Sequence, residues 1–470
     1  MPEKNQTARE IINRDHKVSS PSLTRSFDLV VDHAEGSTIF DVERKSYIDF
    51  ASSVAVMNIG YNCSKVKQAV CAQMEKMVHC GYSDFYAEEP VKLCEKLCEM
   101  TGYEKVFLSN SGTEAVEAAM KLAFWYTRKN SMIAFYRAFH GRTLGALSLT
   151  SSKIKHKEHF PSLRVLHSDY AYCYRCPLNL EYPECGISCA KEIERTIFKR
   201  ELSPKDTAAI VVEPIQGEGG FIVPPPEFHK EIRRICDEND VLMIADEIQS
   251  GGFRTGKFMA LDNFDVRADI VCMSKSIGGG IPLGATLSSS RIMSWPPGTH
   301  ANTFGGNLLA AAGGLATLDF MESAKLGEKA IEKGNYLIKR LNELKEKYPI
   351  IGDVRGIGLM TGVELVEENK APAIEKRDII IKRSLDGGLI LLPAGDSVIR
   401  FVPPLIIKSS EIDKGLEIFE TALGSICFLK RVAVGRKIIF CFHTSIVNYK
   451  YYRSYIYELE WAEVFLKSPP

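Results

Sequence analysis

The sequence predicts an α/β fold: a mostly parallel central sheet covered by helices, with a smaller α+β domain beside it. Three observations carry that reading. The runs Ala208-Ala209-Ile210-Val211-Val212, Val241-Leu242-Met243-Ile244-Ala245 and Ile270-Val271-Cys272-Met273 are apolar throughout, without the alternation of a strand that has one face in water. Helical stretches separate such runs, Glu227 to Glu238 among them, as the crossovers of a parallel sheet require. After Leu308 the texture changes to a small-residue helix, a long charged helix and short β-rich segments, which reads as a second, smaller domain.

Each element follows from its local pattern. Residues 1–55 form an N-terminal segment expected to pack with the small domain, and 56–325 form the large domain. Within it, Val106-Phe107-Leu108 is a strand leading into Ser109-Asn110-Ser111-Gly112-Thr113. The helix that follows carries Ala115, Val116, Ala119, Met120 and Ala123 on one face. Met132 to Tyr136 is the next strand, and the three apolar runs above complete the series. Leu309 to Phe320 is helical, and Glu328 to Lys347 is a long charged helix. Residues 326–425 then make the small domain, with Gly356 to Val363 and Val398 to Pro404 as its β-rich parts and Glu411 to Leu423 as a finishing helix. From about Cys427 the chain turns Val-, Ile- and Tyr-rich, so 426–470 is an atypical extension. A hairpin, a partner-binding segment and a poorly ordered tail all fit that composition; an appendage without catalytic role is expected.

Bulk properties narrow the function. Lys+Arg and Asp+Glu balance at 59 each, which gives no reason to expect a nucleic-acid partner. No apolar run approaches the roughly 18–20 residues that cross a bilayer, and Met1-Pro2-Glu3-Lys4-Asn5-Gln6 has no apolar signal core, so no membrane partner and a cytoplasmic location are expected. Thirteen cysteines in such a chain read mostly as reduced thiols.

Chemistry concentrates where strands end. Lys275 follows Ile270-Val271-Cys272-Met273-Ser274 and precedes Gly278-Gly279-Gly280, and Asp246 closes the run Val241 to Ala245. A lone lysine before a glycine loop is usually a surface residue, and a lone aspartate after a strand is usually a helix cap. Neighbouring strands of one parallel sheet would instead bring the amine and the carboxylate to one crevice. Such a pair suits pyridoxal phosphate: the lysine forms a Schiff base with the aldehyde, and the acid keeps the pyridine nitrogen protonated. Ser111-Gly112-Thr113-Glu114 opens a helix, either as a plain N-cap or as a cradle of N–H groups and a hydroxyl for phosphate. Phe139 is either a core residue or an aromatic stacked on a flat cofactor. Cys173, Cys176, Cys185 and Cys189 stand as C-x2-C-x8-C-x3-C, a spacing open to zinc, to reduced thiols or to a loop disulfide; no metal is expected, with these four as the candidate set.

Six segments stand in one order: Ser111-Gly112-Thr113-Glu114-Ala115, Phe139-His140-Gly141-Arg142-Thr143, Glu213-Pro214-Ile215-Gln216-Gly217-Glu218-Gly219-Gly220, Asp246-Glu247-Ile248-Gln249-Ser250-Gly251, Ser274-Lys275 and Thr303-Phe304-Gly305-Gly306-Asn307. Together they resemble the class III pyridoxal-phosphate-dependent aminotransferases, most of all the 4-aminobutyrate aminotransferases, over about Tyr47 to Leu423. The resemblance implies the type I fold of pyridoxal-phosphate-dependent transferases, with 56–325 as the cofactor-binding domain. It implies that Lys275 anchors the cofactor and carries the proton, that Asp246 pairs with the pyridine nitrogen, and that Glu213 supports the ring. It implies that Ile248 packs under the ring and that Gln249 bonds its phenolic oxygen. Gly112 and Thr113 would bind phosphate, Phe139 would stack, and Ser111 and His140 would belong to the same set. Thr303 would reach the phosphate of a neighbouring subunit, making a homodimer or a dimer of dimers.

For substrates, the likeness implies that Arg142 holds a distal carboxylate, Arg400 an α-carboxylate, and that Glu218 masks Arg400 while an ω-amine is bound. The expected reaction moves an amino group from an ω-amino acid, 4-aminobutyrate foremost, to 2-oxoglutarate. The alternatives are an amino-acid racemase of the same family, an ornithine or acetylornithine transaminase, and, more remotely, a non-catalytic binding relative. Some 4-aminobutyrate aminotransferases carry an iron–sulfur site just before the first of these segments. Phe107-Leu108-Ser109-Asn110 holds no cysteine, so that feature is not carried over.

Overall fold

Near the N-terminus, Val31–Glu35 (β1), Thr38–Asp41 (β2) and Ser46–Asp49 (β3) form an antiparallel meander in this computed structural model, which describes residues 7–427, 431–434 and 437–440. The central sheet follows, built from Lys105–Ser109 (β4), Ser131–Phe135 (β5), Val165–Ser168 (β6), Thr207–Val212 (β7), Leu242–Asp246 (β8), Ile270–Met273 (β9) and Gly284–Ser288 (β10). Their spatial order is β4-β10-β9-β8-β7-β5-β6. Strands β6, β5, β7, β8 and β9 run parallel, while β10 is antiparallel to both β9 and β4.

Every residue of β5, β7, β8, β9 and β10 is buried, which is why their sequences do not alternate. Full burial of each Val, Ile, Leu or Met side chain contributes roughly 1.5–3 kcal/mol. The helix Gly112–Thr127 lies against β9 and β10 with Ala115, Val116, Ala118, Ala119 and Ala123 buried. These small residues bring its backbone close enough for Thr286 Oγ1 to donate to the Ala115 carbonyl at 2.8 Å. Gly284 is required at the same contact, since a Cβ there would stand 2.4 Å from the Ser111 carbonyl oxygen. The helix Pro226–Glu238 begins with proline at a position where no N–H is needed and buries Phe228, Ile232 and Ile235.

After the helices Leu308–Ser323 and Leu326–Lys347 come Ile351–Ile357 (β11), Met360–Leu365 (β12), Leu389–Ile390 (β13), Leu392–Ala394 (β14) and Val398–Phe401 (β15). An antiparallel sheet has the order β11-β12-β15-β14, and β13 pairs in parallel with β3. Arg254, fully buried, ties three stretches together: its guanidinium donates to the carbonyls of Leu359 and Pro403 and to Asn58 Oδ1. The helix Ser409–Cys427 runs past the expected end at Leu423. Residues Ser425–Pro470 form a separate unit, in which Arg431–Val434 (β16) pairs antiparallel with Lys437–Phe440 (β17). The rest of the expected extension lies outside the described residues.

In the central sheet two strands escaped the sequence reading. β6 sits at the sheet edge and is only partly buried, so its apolar run is short. β10 is Gly-Ala-Thr-Leu-Ser, in which Gly, Ala and Ser are small and Thr is the one β-branched residue, so its strand signature is weak. No helix among the described residues is long and apolar enough to cross a membrane.

Candidate active site

The carboxyl ends of β4, β5, β7, β8 and β9 share one edge of the sheet, and the segments that leave them line one cavity of about 270 Å³. Its walls are Gly112, Thr113, Phe139, His140, Gly141, Arg142, Glu213, Ile215, Asp246, Ile248, Gln249, Ser274 and Lys275. The sequence reading selected most of these; Gly141, Ile215 and Ser274 lay within its motifs without an assigned role.

Asp246 ends β8 with both oxygens engaged. Oδ1 accepts from the Ile248 backbone N–H at 3.1 Å, and Oδ2 bonds His140 Nδ1 at 2.7 Å. Burial opposes a charged His140, but the Asp246 hydrogen bond and charge outweigh it, so its pKa rises. Glu213 directly follows β7 and accepts from the N–H groups of Phe139, at 2.9 Å, and Gly217, at 2.7 Å. Burial nevertheless raises its pKa to about 7. Lys275 follows β9 through Ser274 at φ 43°, a conformation costly for a side chain with a Cβ. Burial lowers its pKa, with Glu218 acting against that and Arg400 with it.

Beside this cavity, Arg400 on β15 donates to Glu218 Oε1 at 2.6 Å and Oε2 at 3.3 Å, and to the Pro393 carbonyl at 3.1 Å. Burial would raise the Glu218 pKa, but Arg400 overrides it and the net shift is downward. Arg142 stands at the cavity with its guanidinium carbon 5.9 Å from the Phe139 ring centre, and its amino group lies 3.2 Å from His156 Nε2. His156, which no motif reading singled out, sits in the short helical turn Ile154–His156.

Three sets of candidate residues do not line this cavity. Ser111 caps its own helix, its hydroxyl accepting from the Glu114 N–H at 3.3 Å. Thr303 is exposed and does not line the cavity. Cys173, Cys176, Cys185 and Cys189 are free thiols around one cavity of about 20 Å³. Among the described residues, however, no three His, Cys, Asp or Glu side chains stand as a metal-binding group.

The cavity fits a flat, phosphorylated aromatic aldehyde. The helix Gly112–Thr127 presents its first two residues, Gly112 and Thr113, to the cavity, and the opening N–H groups of a helix lack intrahelical acceptors and favour an anion. Glycine lets the helix start pack against Ile248: a Cβ on Gly112 would meet Ile248 Cδ1 at 2.9 Å. Gln249 Oε1 and His140 Nε2 are buried without a protein partner, leaving polar atoms beside the cavity unsatisfied. At Gly141, φ is 138° and a Cβ would come within 2.3 Å of Thr113 Oγ1. Gly141→Ala is therefore expected to displace Thr113 at a cost of about 1–3 kcal/mol, weakening cofactor affinity about tenfold or more. A spectroscopic titration of the apoenzyme with pyridoxal phosphate measures this.

Comparison with known proteins agrees with the geometry. The family model described as Aminotransferase class-III matches residues 19–423. A leucine/methionine racemase from Thermococcus litoralis is 36% identical over 424 residues, spanning 89% of this chain and 96% of the relative. An acetylornithine aminotransferase from Clostridium acetobutylicum is 39% identical over 405 residues, 84% of this chain and 97% of its own. A probable 4-aminobutyrate aminotransferase from Bacillus subtilis is 34% identical over 431 residues, 89% and 98% of the two chains. Among solved structures, the ornithine aminotransferase from Toxoplasma gondii, described with partial occupancy of PLP at its active site, superposes with a TM-score of 0.80 at 28% identity. It covers 90% of this chain and 95% of that one. The chain therefore belongs to the class III aminotransferases, with pyridoxal 5'-phosphate as its cofactor and small-molecule amines and oxo acids as the compounds it acts on.

Proposed function

We propose that this enzyme moves the amino group of an ω-amino acid, 4-aminobutyrate foremost, to 2-oxoglutarate. The observation that carries the reading is the closed Glu218–Arg400 pair next to Lys275, together with Arg142 at the same cavity and unpaired with any carboxylate among the described residues. One guanidinium is then open to a distal carboxylate while the other is neutralised. A buried guanidinium left unpaired would be costly, so Glu218 covers Arg400 until an α-carboxylate replaces it.

Pyridoxal phosphate, when bound, supplies an electron sink for the carbon that bears the amine. Lys275 tethers it and, once released, carries the proton at Nζ; burial lowers its pKa, which favours that exchange. Asp246, oriented by His140 and by the Ile248 N–H, keeps the ring nitrogen protonated. Gly112 and Thr113 hold the phosphate, Phe139 and Ile248 enclose the ring, Gln249 bonds the phenolic oxygen, and Glu213 supports the ring. Thr303, exposed here, would contribute to the phosphate site of a neighbouring subunit in a homodimer or a dimer of dimers.

Product analysis tests the reaction. With 4-aminobutyrate and no oxo acid, the enzyme is expected to release one equivalent of the aldehyde acid per site, and adding 2-oxoglutarate should then yield glutamate. The identity to a leucine/methionine racemase supports a second reading, in which an optically active amino acid loses its rotation with no oxo acid released. Acetylornithine or ornithine as the preferred donor is a third outcome, favoured by the acetylornithine relatives. Glu218→Ala is expected to shift donor preference towards α-amino acids by about tenfold or more, because Arg400 then waits unpaired for an α-carboxylate. Ratios of kcat/KM for glutamate and 4-aminobutyrate check this, and an unchanged ratio refutes the gate.

A further inference from the structure

Arg142 and Arg400 are held in opposite ways. Arg400 is neutralised by Glu218, whereas the polar side-chain partner of Arg142 is His156, with Arg142 Nη2 3.2 Å from His156 Nε2. A guanidinium can only donate, so His156 Nε2 must accept, which assigns the imidazole as neutral with its proton on Nδ1. Ser152 Oγ lies 3.3 Å from that Nδ1 and accepts there. The His156 ring also meets Phe139 edge to face, with centroids 5.9 Å apart at 79°. Burial, then the positive charges of Arg142, Lys153 and Lys155, hold the His156 pKa below its usual value, with Glu218 acting the other way.

We propose that His156 is a positioning residue for substrate specificity: it accepts one N–H of Arg142 and holds the guanidinium beside Phe139, its remaining donors turned to a substrate carboxylate. A carboxylate in its place would orient Arg142 but also neutralise it, as Glu218 does for Arg400. A neutral imidazole orients the cation and leaves its charge for the ligand. This selects donors that carry a carboxylate distal to the reacting amine. The inference rests on the reading of Arg142 as the distal-carboxylate residue.

The test is calorimetric titration of the holoenzyme with butyrate, a carboxylate without an amine, alongside kinetics with 4-aminobutyrate. His156→Phe keeps a ring against Phe139 and removes the acceptor. It is expected to raise the butyrate Kd and the 4-aminobutyrate KM on the order of tenfold, with kcat within about twofold. His156→Gln returns an acceptor and is expected to recover most of the loss. Arg142→Gln separates the two levels of the argument. If it leaves butyrate binding unchanged, the reading of Arg142 fails and the role of His156 falls with it. If it weakens binding while His156→Phe does not, Arg142 stands and the positioning role is overturned. A fall in kcat with KM unchanged in His156→Phe overturns it as well. Should His156→Phe not fold, Ser152→Ala removes the Nδ1 acceptor and is read the same way: a raised butyrate Kd supports the role, and an unchanged one overturns it.

Discussion

Lys275→Ala is expected to lower turnover by about 10³-fold or more while the protein still folds and binds its cofactor noncovalently. Lys275 is the lysine that lines the cavity, and the charges of Glu218, Arg400, Asp246 and Glu213 all act on it. Its left-handed backbone is strain that the surrounding glycine loop and buried β9 maintain, and strain of this kind clusters at working sites. On the proposed mechanism, removing the side chain deletes both tether and proton carrier, so small residual activity from solvent protons is all that is expected. Borohydride reduction followed by peptide mapping gives an independent check: the wild type should carry its tag on the peptide containing Lys275 and the variant none. A tag elsewhere, or full turnover in the variant, would remove the basis of the proposed reaction.

Asp246→Asn should have the next largest effect, a loss in kcat of about 10²–10³-fold with a similar fold stability. The substitution keeps the shape but removes the charge proposed to hold the ring proton, the same charge that raises the His140 pKa. Because burial opposes charge on His140, its pKa should fall in the variant, and NMR titration of that ring reads the change directly. A variant with less than a tenfold loss in kcat would show that the carboxylate is not the electrostatic partner of the cofactor.

Much of this arrangement was legible in the sequence because parallel strands have one-sided chemistry. Once Ala208 to Val212, Val241 to Ala245 and Ile270 to Met273 read as buried neighbours, Glu213, Asp246 and Lys275 had to emerge along one edge of the sheet. β10 was not legible, because the nearness of the Ala115 backbone selects small residues there, and small residues give no periodic signal. Ser111 was ambiguous because capping and phosphate binding ask for the same residue at the same place. His156 carries no motif at all: it lies 14 residues from Arg142, on a short turn, and only the folded loop brings the rings and the guanidinium together. The four cysteines illustrate the reverse case. Their spacing fits a metal, yet the chain places them around a small cavity without a ligating group among the described residues.

The pair formed by Glu218 and Arg400 joins positions 182 residues apart, one on a loop and the other on a strand of a different sheet. If the proposed gate holds, a single codon change at either end would alter diet while the lysine, the aspartate and the helix start that line the cavity keep their identity. Gene duplicates of such a scaffold can drift from distal amines to ordinary amino acids in few steps, and a lineage would be expected to branch by nutrient long before it branches by reaction.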